Sequence, residues 1–117
     1  MRRENIVAQV EKLAADVGGK AVALAGDVRD ERCAKNAVEL AVGRFGGLDV
    51  AFNNAGIPGS MTKAVHEYDL EEWNRMITVN LTGVFHSLKA EVPAMLASGG
   101  GAIINTASVA SIVAAQN

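Results

Sequence analysis

The sequence predicts an α/β fold built on an open, doubly wound parallel sheet. Short apolar runs alternate along the chain with helical patterns, in the order helix, strand, helix, strand, helix, strand. Runs of glycine separate these elements at points where helices are expected to end. Alternation of this kind predicts right-handed crossovers, and therefore about three parallel strands whose carboxyl ends share one edge. We predict one domain over residues 1–117.

The first helix comes before the first strand. Its apolar residues recur at helical spacing between charged residues, and Gly18-Gly19 ends it where glycine is favoured. The apolar run over residues 21–25 then predicts a strand that ends at Gly26-Asp27-Val28. The apolar stripe of the helix consists of Ile6, Val10, Leu13, Ala14 and Val17.

A second helix and strand follow in the same order. Asp30 is a predicted N-cap, and Gly46-Gly47 ends the helix. The run over residues 48–52 contains branched and aromatic side chains and predicts a buried parallel strand. It ends in Asn53-Asn54-Ala55-Gly56, a turn whose small residues allow a flat ring or a ribose to approach the backbone. The buried stripe of the helix is predicted to be Ala34, Ala37, Val38, Ala41 and Phe45.

A long helix is predicted in the last third of the chain. Residues 57–68 have no clear period and predict a loop, after which Asp69 and Glu72 have the spacing of a capping box. Thr82-Gly83 and Pro93 are the predicted positions of a break or bend. The apolar face consists of Leu70, Trp73, Ile77, Leu81, Val84, Leu88, Val92 and Met95.

The third predicted strand completes a set of polar residues at one edge of the sheet. Residues 98–101 end the long helix, and the run over residues 102–108 predicts the strand. Asp27, Asn54 and Ser108 then all lie at the carboxyl ends of parallel strands, where open α/β sheets bind ligands. Strand ends also meet solvent by default, so this placement alone leaves a purely structural role open.

The composition limits the classes of function. The formal net charge is −2, from 11 basic and 13 acidic residues, so no face for nucleic acid or an anionic membrane is predicted. The single cysteine, Cys33, excludes an internal disulfide and fits a reducing compartment. No apolar segment approaches the roughly 20 residues needed to span a bilayer. These features predict a cytoplasmic protein, and no metal site is predicted.

Four motifs occur in a fixed order along the chain. They are Gly26-Asp27-Val28, Asn53-Asn54-Ala55-Gly56, Val79-Asn80-Leu81-Thr82-Gly83 and the Ile-Asn-Thr-Ala-Ser-Val-Ala-Ser run of residues 104–111. In this combination and spacing the sequence resembles the short-chain dehydrogenase/reductase family over essentially its whole length. The resemblance implies a partial Rossmann-type domain, NAD or NADP as cofactor, and an alcohol or carbonyl substrate. It does not distinguish the two cofactors or identify the substrate.

The resemblance also implies roles for individual residues. Asp27 matches the acid that accepts a hydrogen bond from the adenine amino group, with the Val28 backbone beside it. Asn54-Ala55-Gly56 matches the turn that lies against the cofactor ribose. Asn80 matches the residue that interrupts a helix and holds a water of the proton relay, and Ser108 matches the serine that orients the substrate oxygen. The alternatives at Asp27 are a cap of the next helix or solvation of a strand end. At Asn80 the alternative is a solvated or back-bonding helix residue.

The sequence also departs from the family pattern. It contains no Thr-Gly-x-x-x-Gly-x-Gly turn, which in the family receives the cofactor pyrophosphate. The catalytic Tyr of the family would fall beyond Asn117, and Tyr68 is followed at the fourth position by Glu72 instead of Lys. These departures predict an incomplete NAD(P)-binding domain with weak or no cofactor binding, little or no turnover, and marginal stability.

A non-catalytic function is the second hypothesis. The helix over residues 81–97 resembles the one through which family members form dimers, which implies a homo-oligomer or pairing with complete relatives. Packing of this helix on its own sheet explains its apolar stripe equally well, and we favour that interpretation. The stripe consists of Val84, Leu88, Val92 and Met95.

Overall fold

The computed structural model describes residues 3–60 and 62–108, with side chains from residue 7 onward. Residues 109–111, the end of the fourth sequence motif, lie outside the described residues. In chain order the elements are α1 (Arg3–Asp16), α2 (Glu31–Phe45), β1 (Val50–Asn53), a 3₁₀ turn (Val65–Glu67), α3 (Leu70–Ile77), a π-helical turn (Thr78–Thr82), α4 (Gly83–Ala97) and β2 (Ala102–Asn105). Among the helices described here, none has the length and apolar character to cross a membrane.

Capping side chains begin two of the helices, and a glycine ends one of them, at the positions that the sequence predicts. The Asp30 carboxylate accepts a 3.0 Å hydrogen bond from the Arg32 N–H at the start of α2, and Gly46 ends that helix with φ at 89°. Asp69 caps α3 by accepting a 2.7 Å hydrogen bond from the Glu72 N–H. Both predicted N-caps are therefore confirmed.

Two parallel strands form the sheet in the described part of the chain. β1 pairs with β2 in register, with Val50 opposite Ala102 and Asn53 opposite Asn105. The hydrogen bonding continues past β2, where the Thr106 N–H donates to the Asn53 carbonyl over 3.0 Å. The two strands therefore end side by side at one edge of the sheet, as the alternation of elements predicts.

The predicted strand over residues 21–25 is wrong. Within residues 3–60 and 62–108 this run belongs to no ladder, so the sheet has two strands and not about three. An apolar run forms a strand only where a neighbour accepts and donates its backbone hydrogen bonds, and the sequence cannot show whether that neighbour is present. β2 ends at Asn105, so the last strand is shorter than the predicted run over residues 102–108.

The core is organised around α4, which packs against both α2 and β1. Among the described residues the buried apolar side chains are Ala51 in β1 and Met95 in α4, and Met95 is 5% exposed. Met95 lies against Gly101, where an added Cβ would come within 2.8 Å of the Met95 sulfur. Close approach of the backbone at Gly101 therefore contributes to the packing of this small core.

Much apolar surface is left uncovered. The accessible surface is 8963 Å². A compact protein of 12.2 kDa exposes about 6100 Å². The radius of gyration is 16.9 Å, compared with about 13 Å for a compact domain of this length. The apolar stripe of α1 shares this exposure, since Leu13 is 66% exposed. Marginal stability of the isolated chain stays a prediction, and this exposed surface is its physical basis.

Substitution of Met95 tests how much the small core contributes. We expect Met95→Ala to lower the free energy of unfolding by about 2 kcal/mol, because it removes a buried side chain and leaves a cavity. Leu96→Ala is the matched control, since Leu96 is the next residue of the helix and is 73% exposed. Its effect should stay below about 0.5 kcal/mol. Urea unfolding followed by circular dichroism measures both, and equal effects would contradict the described core.

Candidate functional site

The turn after β1 is joined to β2 by side-chain hydrogen bonds. Asn53 Nδ2 donates to Asn105 Oδ1 over 3.0 Å, and the Thr106 hydroxyl donates to Asn54 Oδ1 over 2.7 Å. The backbone bond between Thr106 and Asn53 adds a third link at the same point. These bonds hold the backbone that leads into Ala55 beside the end of β2.

Asn80 interrupts the long helix and binds the segment that follows the turn. Asn80 lies in the π-helical turn, which ends at Thr82. The predicted interruption of the long helix is therefore confirmed. The Ile57 N–H donates to Asn80 Oδ1 over 2.8 Å, and Asn80 Nδ2 donates to the Ile57 carbonyl over 2.9 Å. π-turns inside α-helices are frequent at functional sites. The Asn80 side chain therefore fixes the chain after the turn, and its role in holding a water stays a prediction.

Asp27 is paired with Arg29. Arg29 Nη2 lies 2.6 Å from Asp27 Oδ2, and the Arg29 N–H lies 2.9 Å from Asp27 Oδ1. The side-chain hydrogen bonds from Arg29, followed by this backbone hydrogen bond, lower the pKa of Asp27 from 3.8 to about 2. Since Asp30 caps α2, the alternative that Asp27 is the cap is wrong. Asp27 is thus an ionised hydrogen-bond acceptor at neutral pH.

Val28 is held against the start of α4. His86 Nδ1 lies 3.2 Å from the Val28 carbonyl oxygen, a contact that requires the proton on Nδ1. At Gly83 an added Cβ would come within 3.0 Å of Val28 Cγ2, so glycine allows the helix to approach closely. Val28 and Ala55 consequently line the same small cavity next to the π-helical turn.

The seven predicted site residues line two adjoining cavities. The lining of the first, of about 440 Å³, includes Asp27, Val28, Ala55 and Gly56. The lining of the second, of about 370 Å³, includes Asn54, Ala55, Gly56, Asn80 and Ser108. Ala55, Gly56 and Ile57 line both cavities and form the wall that the two share. The structure therefore brings the predicted residues together, while the role of each stays a prediction.

The two cavities offer different chemistry. The lining of the first includes the Asp27–Arg29 pair and Arg75, so this cavity combines one acidic and two basic residues. In the second, Asn54, Asn80 and Ser108 supply amide and hydroxyl groups, which suit a neutral polar oxygen. No group of His, Cys, Asp and Glu side chains in the described ranges suits a metal ion.

Tyr68, the single tyrosine of the sequence, does not line either cavity. Its hydroxyl donates to the Ser60 carbonyl over 2.5 Å. Glu72, four residues later, accepts a 2.7 Å hydrogen bond from Lys63 Nζ. The hydrogen bond of Tyr68 therefore holds the loop before α3 and does not point to a catalytic role.

The sequence motifs did not reveal the partners of the site residues. Arg29 is two residues from Asp27, and this short spacing is the only signal for their pairing. Thr106 belongs to the fourth motif, but its partner Asn54 is 52 residues away. Ile57 binds Asn80 through backbone atoms, so its side chain gives no signal.

Comparison with known proteins decides the family. The family profile described as short chain dehydrogenase matches residues 1–117. The chain belongs to the short-chain dehydrogenase family. Its solved relatives in this family share the arrangement of elements described above, which makes the α/β fold part of a Rossmann-type domain.

Several members of the short-chain dehydrogenase family are closely similar to the chain. A cyclohexanol dehydrogenase from Acinetobacter sp. (strain SE19) is 50% identical over 101 residues, which are 86% of this chain and 40% of that protein. A trans-4-hydroxycyclohexanecarboxylate dehydrogenase from Sinomonas cyclohexanicum is 49% identical over 92 residues, 78% of this chain and 34% of that protein. The crystal structure of carveol dehydrogenase from Mycobacterium avium in complex with NAD has a TM-score of 0.86 at 39% identity, over 94% of this chain and 40% of that one. The chain thus spans less than half the length of these relatives.

Substitution of Arg29 tests the electrostatics of the first cavity. In Arg29→Gln we expect the pKa of Asp27 to rise from about 2 toward 3.8, because the hydrogen bonds that lower it most are lost. In the unsubstituted chain this pairing stabilises the fold above pH 3.8, and its contribution is lost as the pH falls toward 2. NMR titration of the carboxyl carbon measures the pKa. Arg32→Gln, which removes the partner of Asp30, is the control and should leave Asp27 unchanged. An unchanged Asp27 in Arg29→Gln would contradict the described pairing.

Proposed function

We propose that this chain forms part of an NAD(P)-dependent oxidoreductase that interconverts a secondary alcohol and a ketone, with cyclic alcohols as the substrate class. The observation that carries the proposal is the gathering of Asp27, Asn54, Asn80 and Ser108 around two adjoining cavities in a short-chain dehydrogenase family member. Since the chain spans less than half of its relatives, the activity is proposed for a complete protein that contains this sequence.

The first cavity supports the cofactor half of the proposal. Asp27 stays ionised at neutral pH, and a carboxylate is a strong acceptor for the adenine amino group. Ala55 and Gly56 carry little or no side chain, so a ribose can lie against their backbone. Val28 adds backbone groups beside Asp27. The carveol dehydrogenase structure contains NAD, which supports NAD as one of the two possible cofactors.

The second cavity supports the chemical half of the proposal. The nicotinamide ring, when bound, supplies the carbon that accepts or donates hydride. The role we assign to Ser108 is to donate a hydrogen bond to the substrate oxygen, which orients that oxygen and stabilises the charge that develops on it. Asn80 is assigned to the proton relay, next to the turn that its side chain holds in place.

We assign little or no turnover to the 117 residues alone. Hydride transfer to a ketone requires a general acid at the substrate oxygen. Tyr68, the single tyrosine, is bonded to Ser60 and does not line the cavity that contains Ser108. Glu72 stands where the family motif has Lys, so Tyr68 does not belong to the catalytic Tyr-x-x-x-Lys pair of that motif.

The names of the relatives support the substrate class. Cyclohexanol dehydrogenase and trans-4-hydroxycyclohexanecarboxylate dehydrogenase are both named for a hydroxyl group on a cyclohexane ring. The second cavity of this chain also combines the Ser108 hydroxyl with apolar groups, which suits an alcohol on an apolar ring. These apolar lining residues are Ile57, Pro58, Val84 and Ala107.

Titration of the ¹⁵N-labelled chain with NAD⁺ tests the cofactor half. We expect saturable shifts of the amide signals of residues 26–28 and 54–57, with a Kd of about 1 mM or weaker because the Gly-rich phosphate turn is not in this sequence. Asp27→Asn should weaken binding by about tenfold, since a neutral acceptor replaces a charged one. Asp30→Asn is the matched control, because Asn is also a good N-cap and should leave binding unchanged. Equal effects of the two substitutions, or shifts confined to other regions, would contradict the proposal.

Association through α4 is the second candidate function. Met95 of the predicted stripe is buried, but Val92 of the same stripe is exposed. Phe85 and Leu96 of α4 and Leu81 of the preceding π-helical turn are exposed as well. Their helical spacing places these four side chains along one side of the helix, where they form an apolar face. Two copies of this face, or one copy and a relative, would cover each other. Sedimentation velocity of the chain alone tests self-association, because a chain that stays monomeric at all concentrations excludes the pairing of two copies. The same measurement on a mixture with a complete relative tests the other pairing.

A further inference from the structure

Glu91 is a buried carboxyl group that the proposed function does not use. It lies on α4 and is 8% exposed. It borders a groove of about 310 Å³ between α2, β1 and α4, in which most of the lining side chains are apolar. Burial of a carboxyl group costs free energy that an apolar side chain of the same size would not. A specific contact must therefore explain its position.

The contact of Glu91 is with the last residue of β1. Asn53 Nδ2 donates to Glu91 Oε2 over 3.1 Å, and the same amide group donates to Asn105 Oδ1 over 3.0 Å. Glu91 forms no ion pair within the part of the chain that the structure describes. Lys89, the nearest cation along α4, is paired with Glu31 over 2.6 Å. Glu91 thus acts on Asn53 and not on a cation.

These contacts give Asn53 one orientation. An Asn side chain has two amide hydrogens, and here one binds α4 while the other binds β2. The backbone carbonyl of Asn53 also accepts a hydrogen bond from the Thr106 N–H. Because residues 54–56 follow directly, the orientation of Asn53 sets the direction in which the turn leaves the strand. Helix α4 and strand β2 therefore hold the turn from two sides.

We propose that Glu91 is a positioning residue for the turn over residues 53–56. By accepting a hydrogen bond from Asn53, it keeps Ala55 and Gly56 in place within the wall that the two cavities share. The relevant property is the acceptor oxygen, not the volume of the side chain. The consequence for cofactor binding rests on the proposed function, whereas the position of the turn does not.

Two substitutions separate the hydrogen bond from the volume. Glu91→Met keeps a similar size without a strong acceptor, and Glu91→Gln keeps an acceptor oxygen. The readout is amide hydrogen exchange at Thr106. We expect exchange there to be about 5- to 10-fold faster in Glu91→Met, and within about twofold of the unsubstituted chain in Glu91→Gln. The Gly100 N–H, which donates to the Met95 carbonyl over 2.8 Å at the end of α4, is the internal control and should not change.

Thermal unfolding of the same variants distinguishes positioning from general stability. Glu91→Met removes the cost of burying a carboxyl group, so its Tm should equal or exceed that of the unsubstituted chain while its turn loosens. A merely structural role would lower the Tm and speed exchange at both Thr106 and Gly100. That result, or equal exchange at Thr106 in the two variants, would overturn the proposal.

An NAD⁺ titration of the same variants keeps this proposal separate from the proposed function. Faster exchange at Thr106 in Glu91→Met supports the positioning role even if the unsubstituted chain does not bind NAD⁺, an outcome that refutes only the cofactor assignment. Unchanged exchange at Thr106 together with unchanged NAD⁺ binding overturns the positioning role and leaves the cofactor assignment intact.

Discussion

The fixed position of the turn after β1 is the constraint on which the rest of the site depends. Within the described residues, backbone pairing reaches β1 from one neighbour only, namely β2. Side chains supply the other attachments. Asn53 reaches β2 and α4, Asn54 accepts from Thr106, and Asn80 binds the backbone just after the turn. These bonds hold Asn53 and Asn54 before Ala55 and Gly56, and Ile57 after them, so the wall between the two cavities is fixed at both ends.

The energetic balance explains why these polar contacts carry such importance. Each hydrogen bond of this kind contributes about 0.5–1.5 kcal/mol, a modest amount in a protein with a large core. Here the core is small, with Ala51 and Met95 as its buried apolar side chains in the described residues, and the exposed surface is roughly half as large again as that of a compact monomer. Since the relatives are more than twice as long, their additional length is available to cover an equivalent surface.

Local chemistry was predictable from the sequence, and long-range pairing was not. The caps at Asp30 and Asp69 depend on neighbouring backbone atoms, so spacing along the chain was sufficient to find them. The strand predicted over residues 21–25 depends on a neighbouring strand, which no local pattern can supply. The motifs placed the site residues around the cavities, but not the contacts that hold them. Glu91 is 38 residues from Asn53, and a carboxyl group in an apolar helix pattern does not indicate which amide it will bind.

Amide hydrogen exchange of the unsubstituted chain tests the central claim most directly. If side-chain hydrogen bonds fix the turn, the Ile57 and Thr106 amides should exchange slowly and together, at rates close to those of the paired residues of β1 and β2. Amides in the middle of α1, whose apolar stripe is exposed, should exchange much faster. An Ile57 amide that exchanges as fast as those of α1, while the two strands stay protected, would show that the turn is not fixed and would contradict the account.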